Sequence, residues 1–392
     1  MKDREIARLI AEEEKRQQKV TNLIASENDV SPDVLAALGS VFTNKYAEGY
    51  PGRRYYGGNT IVDRLESLCQ ARALELFGLS AKRWQVNVQP LSGSPANMAV
   101  YAALVPIGGT IMGMSLAHGG HLTHGHKVSF TGMAWKQAAY GVDPKTERID
   151  YNEVMRLAIE AKPAIIVAGF TAYPRKIDWK RFRTIAKACG ALLMVDMSHI
   201  AGLVAGKAYP SPFPYADIVT TTTHKTLRGP RGAMIFAKKD DRGLPEKIDK
   251  AVFPGLQGGP HENAIAGIAV ALREAATPAF HAYAKRVVAN AQVLAHELAS
   301  RGWRIVSNGT DSHLLLVDTW NAGEGISGAE ASERLEAAGI IVNKNTIPGE
   351  TRSAFDPSGI RIGTACVTTR GAKERDMRAL AERIDRALRS SR

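Results

Sequence analysis

Short apolar runs alternate with amphipathic stretches through the middle of the chain. Ala164-Ile-Ile-Val-Ala-Gly169, Ala191-Leu-Leu-Met-Val-Asp196 and Ile218-Val-Thr-Thr-Thr222 are continuous apolar or β-branched runs, the pattern of strands buried on both faces. Between the first two, Trp179–Cys189 spaces its apolar residues along one helix face. The alternation extends from about residue 60 to 240. It predicts an α/β fold, a mostly parallel sheet with helices on both faces. Residues 4–19 read as a polar helix with an apolar stripe at Ile6, Leu9 and Ile10. A long helix, roughly Glu262–Arg301 and bent or interrupted near Pro278, leads to a second region. There the pattern predicts strands at His313–Asp318, Ile340–Val342 and Ile360–Ile362 and a closing helix at Lys373–Arg389. The division expected is an N-terminal helical arm over 1–20, a large domain over 21–270 and a smaller C-terminal α/β domain over 271–392.

Composition narrows the class. The 392 residues are 45% hydrophobic and 23% charged, the balance of a globular protein able to bury a large core. Cys69, Cys189 and Cys366 lie far apart and form no CxxC pair, which supports neither a disulfide framework nor a structural zinc site. No apolar run approaches the roughly 18 residues that span a bilayer. The N-terminus mixes acids and bases without an apolar leader segment. These features point to a cytoplasmic protein with no membrane partner. The net charge is +12 and the pI about 9.6. Yet Arg370–Arg392 carries eight Lys/Arg against four Asp/Glu, and no basic block is interleaved with aromatics. The charge reads as a solvated surface that attracts small anions rather than nucleic acid.

The stretch Val219-Thr-Thr-Thr-Thr-His-Lys225-Thr-Leu-Arg-Gly-Pro-Arg231-Gly232 carries the sharpest chemical signal. It places an amine at the mouth of a predicted strand, beside an imidazole and two guanidiniums. Neighbouring cations favour a neutral amine, the form that makes Schiff bases with carbonyls. An aldehyde cofactor such as pyridoxal phosphate (PLP) fits. So does a plain strand end with solvated bases, and the segment alone does not choose. Asp196 closes the preceding predicted strand, 29 positions before Lys225. It would either hold a pyridine nitrogen protonated or cap the next turn. Ser92-Gly93-Ser94-Pro95-Ala96-Asn97 opens a predicted helix over Ala96–Leu104, where bare amides would suit a phosphate and a serine cap would serve equally.

His118-Gly-Gly-His121-Leu-Thr-His124-Gly-His126 has no nearby Cys, Asp or Glu to complete a metal site. One imidazole face presented to a ring, with the other histidines satisfied structurally, is the reading taken, and no metal is expected. Gly323-Glu-Gly325-Ile-Ser-Gly328 matches GxGxxG but lacks the acidic residue about 20 positions on. Ser327-Gly-Ala-Glu330 there reads as a capping box. The loops Asn44–Gly58, with Tyr46, Glu48, Tyr55 and Tyr56, and Phe253–Pro260 carry either a site or an interface.

Taken together these segments resemble the serine hydroxymethyltransferase family, PLP enzymes of fold type I. The resemblance rests on LIASEN (23–28), NKYAEGYPGRRYYGG (44–58), SGSPAN (92–97), LAHGGHLTHG (116–125), VDMSHIAGLVA (195–205), TTTTHKTLRGPRG (220–232), FPGLQGGP (253–260), VNKN (342–345) and SGIRIGT (358–364). It implies transfer of a one-carbon unit from L-serine to tetrahydrofolate, giving glycine and 5,10-methylenetetrahydrofolate. By the same resemblance Lys225 carries PLP as a Schiff base, Asp196 meets its ring nitrogen and His121 stacks on the ring. Ser92, Gly93 and Ser94 bind phosphate, His199 and Thr171 hold the phenolic-oxygen side, and His224 tunes the lysine, with Arg231 nearby. Arg361 clamps the substrate carboxylate, assisted by Ser26 and Tyr56, while Glu48 transfers a proton. Tyr46, Glu48, Tyr55, Tyr56 and Gly259 would enter from a partner subunit, implying a homodimer or dimer of dimers. Leu116, Gly120, Leu122, Asn345 and Ser353 would line the folate pocket.

Some positions depart from the family pattern. Thr171 stands for the usual serine, His261-Glu-Asn263 for a frequent Leu-Met-His, and Ser353-Ala-Phe355 for Ser-Pro-Phe. The chain ends soon after its last predicted helix where many members continue, so the resemblance does not choose dimer or tetramer. A folate-independent aldolase acting on threonine-like β-hydroxy amino acids is the alternative enzyme. Loss of Glu48 or the folate-lining residues would mark it, and all are present. A basic nucleic-acid-binding protein on an inherited fold is the non-enzymatic alternative.

Overall fold

The three apolar runs form adjacent parallel strands in a seven-stranded sheet. The computed structural model describes residues 1–390. Its central sheet comprises β1 (Trp84–Asn87), β2 (Thr110–Met114), β3 (Lys136–Tyr140), β4 (Ile165–Gly169), β5 (Leu192–Asp196), β6 (Ile218–Thr222) and β7 (Ala233–Lys238). They lie in the order β1-β7-β6-β5-β4-β2-β3. Only β7 opposes its neighbours; the other pairings are parallel. Successive side chains point to opposite faces of a strand. Accordingly Ile166, Ala168, Leu193, Val195 and Val219 enter one apolar core. Ile165, Val167, Met194 and Ile218 enter a second, with Val100 and Tyr101 of helix Gly93–Leu104. Both faces are covered, which is why these strands read as continuous rather than alternating apolar runs.

A smaller antiparallel sheet follows, β8 (Arg304–Ile305), β9 (Leu314–Asp318), β10 (Asn343–Asn345) and β11 (Gly359–Gly363), in the order β8-β9-β11-β10. Helix Glu374–Arg389 covers it with Met377, Leu380, Ala381 and Ile384. The predicted long helix is two helices, Glu262–Ala275 and Pro278–Ser300. Proline lacks the N–H needed inside a helix but suits a first turn. Thr277 completes that start, its hydroxyl accepting from Phe280 N at 3.3 Å. The second helix spans both units: Phe280, Ala284 and Val287 enter the large core, and Leu294, Ala295 and Leu298 the small one.

Residues near the start of the chain return to the small sheet. Thr21–Asn22 pairs in parallel with Ile340–Ile341, and Gly363 N donates to Leu23 O at 2.7 Å. A Cβ at Gly363 would lie 2.4 Å from Ala25 Cα, so only glycine lets this segment dock beside β11. Helix Arg4–Lys19 buries no residue and leaves Ile6, Leu9 and Ile10 exposed. Among the described residues no helix is long and apolar enough to cross a membrane.

Candidate active site

Parallel pairing sets Asp196 beside Thr220, bringing the carboxyl ends of β5 and β6 to one edge, where open α/β sheets bind ligands. The Lys225 loop is folded onto that edge by its own backbone. Thr223 N donates to Gly232 O, Gly229 N to Thr223 O, and the Thr223 hydroxyl to Pro230 O. Asn28 donates to Lys225 O at 3.1 Å. Lys225 Nζ donates to the Thr222 hydroxyl at 2.9 Å. Its pKa falls to about 8, first because burial removes water from the ammonium and then because Arg361 and Arg231 oppose it, while Asp196 pulls the other way. The sequence reading credited neighbouring cations; burial is the larger cause.

Asp196 accepts from three groups. Asn97 Nδ2 donates to its Oδ2 at 2.9 Å, Ser198 N donates to its Oδ1 at 3.1 Å, and His124 Nε2 lies 3.1 Å from Oδ2. His124 Nδ1 accepts from His121 N at 3.2 Å, so the proton of the neutral ring sits on Nε2 and points at the carboxylate. Burial alone would raise the Asp196 pKa, but the hydrogen bonds, that from His124 first, hold it well below the usual range. The residue therefore both caps the following turn and stands as an anion at the strand end. Asn97 is fixed in turn: its Oδ1 accepts the Thr220 hydroxyl at 2.8 Å and its Nδ2 also donates to the Thr123 hydroxyl at 2.9 Å. Thr123 Oγ1 lies 2.7 Å from His121 Nδ1. Burial, then His124 and Lys225, lower the His121 pKa to about 4 despite Asp196, leaving a neutral ring.

No side chain caps helix Gly93–Leu104, although Ser92 occupies its N-cap. The first amides, those of Gly93 and Ser94, are open, and Pro95 has none to satisfy. This favours the anion reading over the serine cap. A Cβ at Gly93 would lie 2.7 Å from the Thr222 side chain, so glycine is what lets this turn approach the lysine strand.

Arg361, on β11, reaches the same edge from the second unit. Its NH1 donates to Thr171 O at 2.7 Å and its Nε to Asn343 Oδ1 at 3.0 Å. Among the described residues no carboxylate pairs with it, and loss of water lowers its pKa to about 10. The Thr171 hydroxyl donates to Gly120 O at 2.8 Å, holding the histidine-rich loop. Ser26, partly buried, shares a cleft of about 390 Å³ with His224 and Arg231. Burial, then Lys225 and Arg231, push His224 down to about 3; Arg231 itself is exposed.

The tyrosine loop makes a second cluster. Tyr46 donates to Glu48 at 3.3 Å and packs edge-on against Tyr56. Tyr55 packs on Phe253. Gly258 and Gly259 lie beside Glu48 and Tyr46, respectively. Tyr46, Tyr55 and Tyr56 are 59%, 74% and 51% exposed. Among the described residues none of them, nor Glu48 or Gly259, bonds or stacks with Lys225, Asp196, His121, His199 or Arg361. Of the residues expected to line a folate pocket, Leu116, Gly120 and Leu122 lie in the loop that meets the Asn345 segment, where the Thr346 hydroxyl donates to Ala117 O at 3.5 Å. Leu122 is 42% exposed, and the exposed Ser353 hydroxyl accepts from Phe355 N.

Several site residues carry no chemical signal in the sequence pattern. His124, expected to be satisfied structurally, bonds Asp196. Asn97, the end of the expected anion turn, bonds it too. His313, the start of a predicted strand, lays its ring against His199. The remaining histidines of the cluster serve the backbone: His118 Nδ1 accepts from Val142 N and His126 Nδ1 from Val128 N. Ser327 does cap helix Gly328–Ala337, accepting from Glu330 N at 3.2 Å.

The profile of the family described as serine hydroxymethyltransferase matches residues 1–384. A serine hydroxymethyltransferase of Koribacter versatilis (strain Ellin345) is 56% identical over 387 residues, covering 99% of this chain and 89% of the relative. One from Desulfotalea psychrophila (strain LSv54 / DSM 12343) is 53% identical over 386 residues, covering 98% and 88%. An amine, an anionic carboxylate and an unpaired guanidinium meet at the edge of this sheet in a chain that belongs to the serine hydroxymethyltransferase family.

Proposed function

We propose that this site transfers the hydroxymethyl carbon of L-serine to tetrahydrofolate, with PLP bound at Lys225. The observation that carries the reading is Arg361: a guanidinium with no carboxylate of its own, reaching the edge where Lys225 keeps a readily neutralised amine. An amino acid presents the matching carboxylate, which a planar fork binds in two bonds.

The residues present fit PLP. Lys225 would hold its aldehyde carbon, Asp196 its ring nitrogen and His121 a ring face. The open amides of Gly93 and Ser94, with Ser92, would hold its phosphate. Thr171, His199 and His224 would surround the lysine end, and Arg231 adds positive charge. When bound, PLP withdraws electrons from the carbon next to the amino group, allowing the Cα–Cβ bond of serine to break. The chain's own part is electrostatic and positional. Asp196 stays anionic and so favours a protonated partner at the ring nitrogen. Arg361, with Ser26 and Tyr56, orients the substrate carboxylate. Glu48 moves the proton of the serine hydroxyl.

Tyr46, Glu48, Tyr55, Tyr56 and Gly259 make no bond to Lys225 among the described residues, and we assign them to the site of a second copy, giving a homodimer at least. Leu116, Gly120, Leu122, Asn345 and Ser353 would receive tetrahydrofolate. The free thiols of all three cysteines suit the cytoplasm. Exchange of the glycine α-proton with solvent tests this reading. With PLP present, tetrahydrofolate is expected to accelerate exchange; exchange indifferent to folate would favour an aldolase.

A further inference from the structure

His199 and His313 form a buried pair across the two units, 3% and 0% exposed. His199 follows β5 and His313 precedes β9. Their rings stack at 5.4 Å with 30° between planes, and His199 also stacks on Phe170. His199 Nδ1 lies 3.2 Å from His313 Nε2. That same Nε2 lies 3.2 Å from Ala25 O, the carbonyl immediately before Ser26. His313 Nδ1 is buried without a partner. Both backbones are anchored: the Thr226 hydroxyl donates to His199 O at 2.9 Å, and Thr364 N donates to His313 O at 2.9 Å.

Donor counting decides where the protons sit. A carbonyl only accepts, so the Ala25 contact requires a hydrogen on His313 Nε2. Burial keeps both rings neutral, His313 down at about 3 and His199 well below the ordinary range, with Lys225 and Arg361 adding to the effect. His313 therefore carries its one hydrogen on Nε2 and leaves Nδ1 bare. That accounts for the orphaned atom, because a buried lone acceptor is tolerated better than a buried lone N–H. His199 Nδ1, 3.2 Å from that same Nε2–H, can only share the hydrogen as a second acceptor and cannot itself carry one. Its own hydrogen is then on Nε2, which no side chain or carbonyl among the described residues takes up. The opposite arrangement would orphan a buried N–H and set a lone pair against Ala25 O.

We propose that His313 is a positioning residue that fixes His199 as an Nε2–H donor for the ligand at the Lys225 edge while it pins Ala25, next to Ser26, against the strand that carries Arg361. The inference rests on the PLP site proposed above. It would make a residue of the second unit set the polarity of a group in the first.

The test is the tautomer of His199, read from two-bond proton–nitrogen spectra of the cofactor-free protein labelled at imidazole nitrogen, with His199→Asn identifying the signal. Wild type is expected to show a single Nε2–H form. His313→Gln, whose amide N–H can replace the Nε2–H, should keep it; His313→Leu should give a mixture. In the loaded enzyme His313→Leu should lower kcat for serine roughly 5- to 30-fold, the loss of a buried hydrogen bond, with His313→Gln recovering most of it. An Nδ1–H form in wild type would overturn the proposal, as would an unchanged tautomer in folded His313→Leu. Should wild type take up no PLP, its visible absorption stays absent whatever the tautomer, so failure of the cofactor reading is seen separately.

Discussion

Asn97 donates to the Asp196 carboxylate at 2.9 Å while its own carbonyl accepts the Thr220 hydroxyl at 2.8 Å. The amide cannot turn over without setting its oxygen against an anion. Together with His124, it makes Asp196 an acceptor from every side, suited to one remaining donor.

Asn97→Ala should therefore weaken PLP binding. A hydrogen bond to a charged group contributes about 1.5–3 kcal/mol, so the dissociation constant should rise roughly 10- to 100-fold. Thr220→Val, which only unfixes the amide, should have a smaller effect. Titration of the cofactor-free protein with PLP, followed by its absorption, measures both. Equal affinity in wild type and Asn97→Ala would remove Asn97 from the account.

Lys225 should govern the pH dependence of PLP uptake. Its folded pKa is about 8 against an ordinary 10.5, so the reactive neutral amine grows as pH rises through about 8. Between those two values the unfolded chain binds more protons than the folded one, and this group's contribution to stability rises with pH across that window. Arg231→Gln removes a cation that lowers the value, so the midpoint of the uptake rate should move upward. Stopped-flow uptake between pH 6.5 and 9.5, in steps of about half a unit, supplies the profile. A flat rate would contradict it.

Glu262, one of the departures from the family pattern, predicts an opposite slope. It is 1% exposed at the start of helix Glu262–Ala275. No donor reaches either of its oxygens, and Glu66, itself 0% exposed, lies against it. Arg54 is shared between Glu66 and Asp63 and only partly offsets the effect on Glu262. Burial and then Glu66 push Glu262 well above the usual carboxyl range, so its one available bond is the proton it donates to Glu66. The unfolded chain releases that proton from about pH 4.5 upward while the folded chain keeps it, so stability falls as pH rises through neutrality. Glu262→Gln keeps a donor and loses the titration. Its urea-unfolding free energy should exceed that of wild type at pH 8 and vary less from pH 6 to 9, a comparison that directly measures the slope. Identical slopes would refute the assignment.

These contrasts mark what the sequence made legible. Lys225 and Asp196 could be read from residue type and placement at strand ends, because a parallel sheet gathers those ends whatever the loops do; Arg361, in the middle of an antiparallel strand, was named only by the family resemblance. The roles of Asn97, His124 and His313 could not. Asn97 and Asp196 are 99 positions apart, and His199 and His313 are 114 apart. Their meeting depends on strand order and on the docking of two units, which local pattern does not encode. The split at Pro278 was visible as a proline but not as two helices, because the deciding bond is the Thr277 cap. The tyrosine loop was legible as chemistry; that it makes no bond to Lys225 among the described residues emerged only in three dimensions.

The assignment of Glu48 to a second copy's site predicts complementation between inactive variants. Lys225→Ala and Glu48→Gln should each be nearly inactive alone. Mixed and reassembled, half of the dimers would pair one of each, and one of their two sites would be intact. Activity should return to roughly a quarter of wild type for a two-fold dimer with shared sites. No recovery in demonstrably mixed dimers would place Glu48 and Lys225 in the same chain's site.

The most direct measurement of the central claim follows the C3 carbon of labelled serine in the presence of PLP and tetrahydrofolate. The account predicts that the label appears in methylenetetrahydrofolate with unlabelled glycine released, and that Lys225→Ala and Arg361→Ala abolish the transfer. Cleavage of serine or threonine at the same rate without folate, with no label reaching the folate, would contradict it.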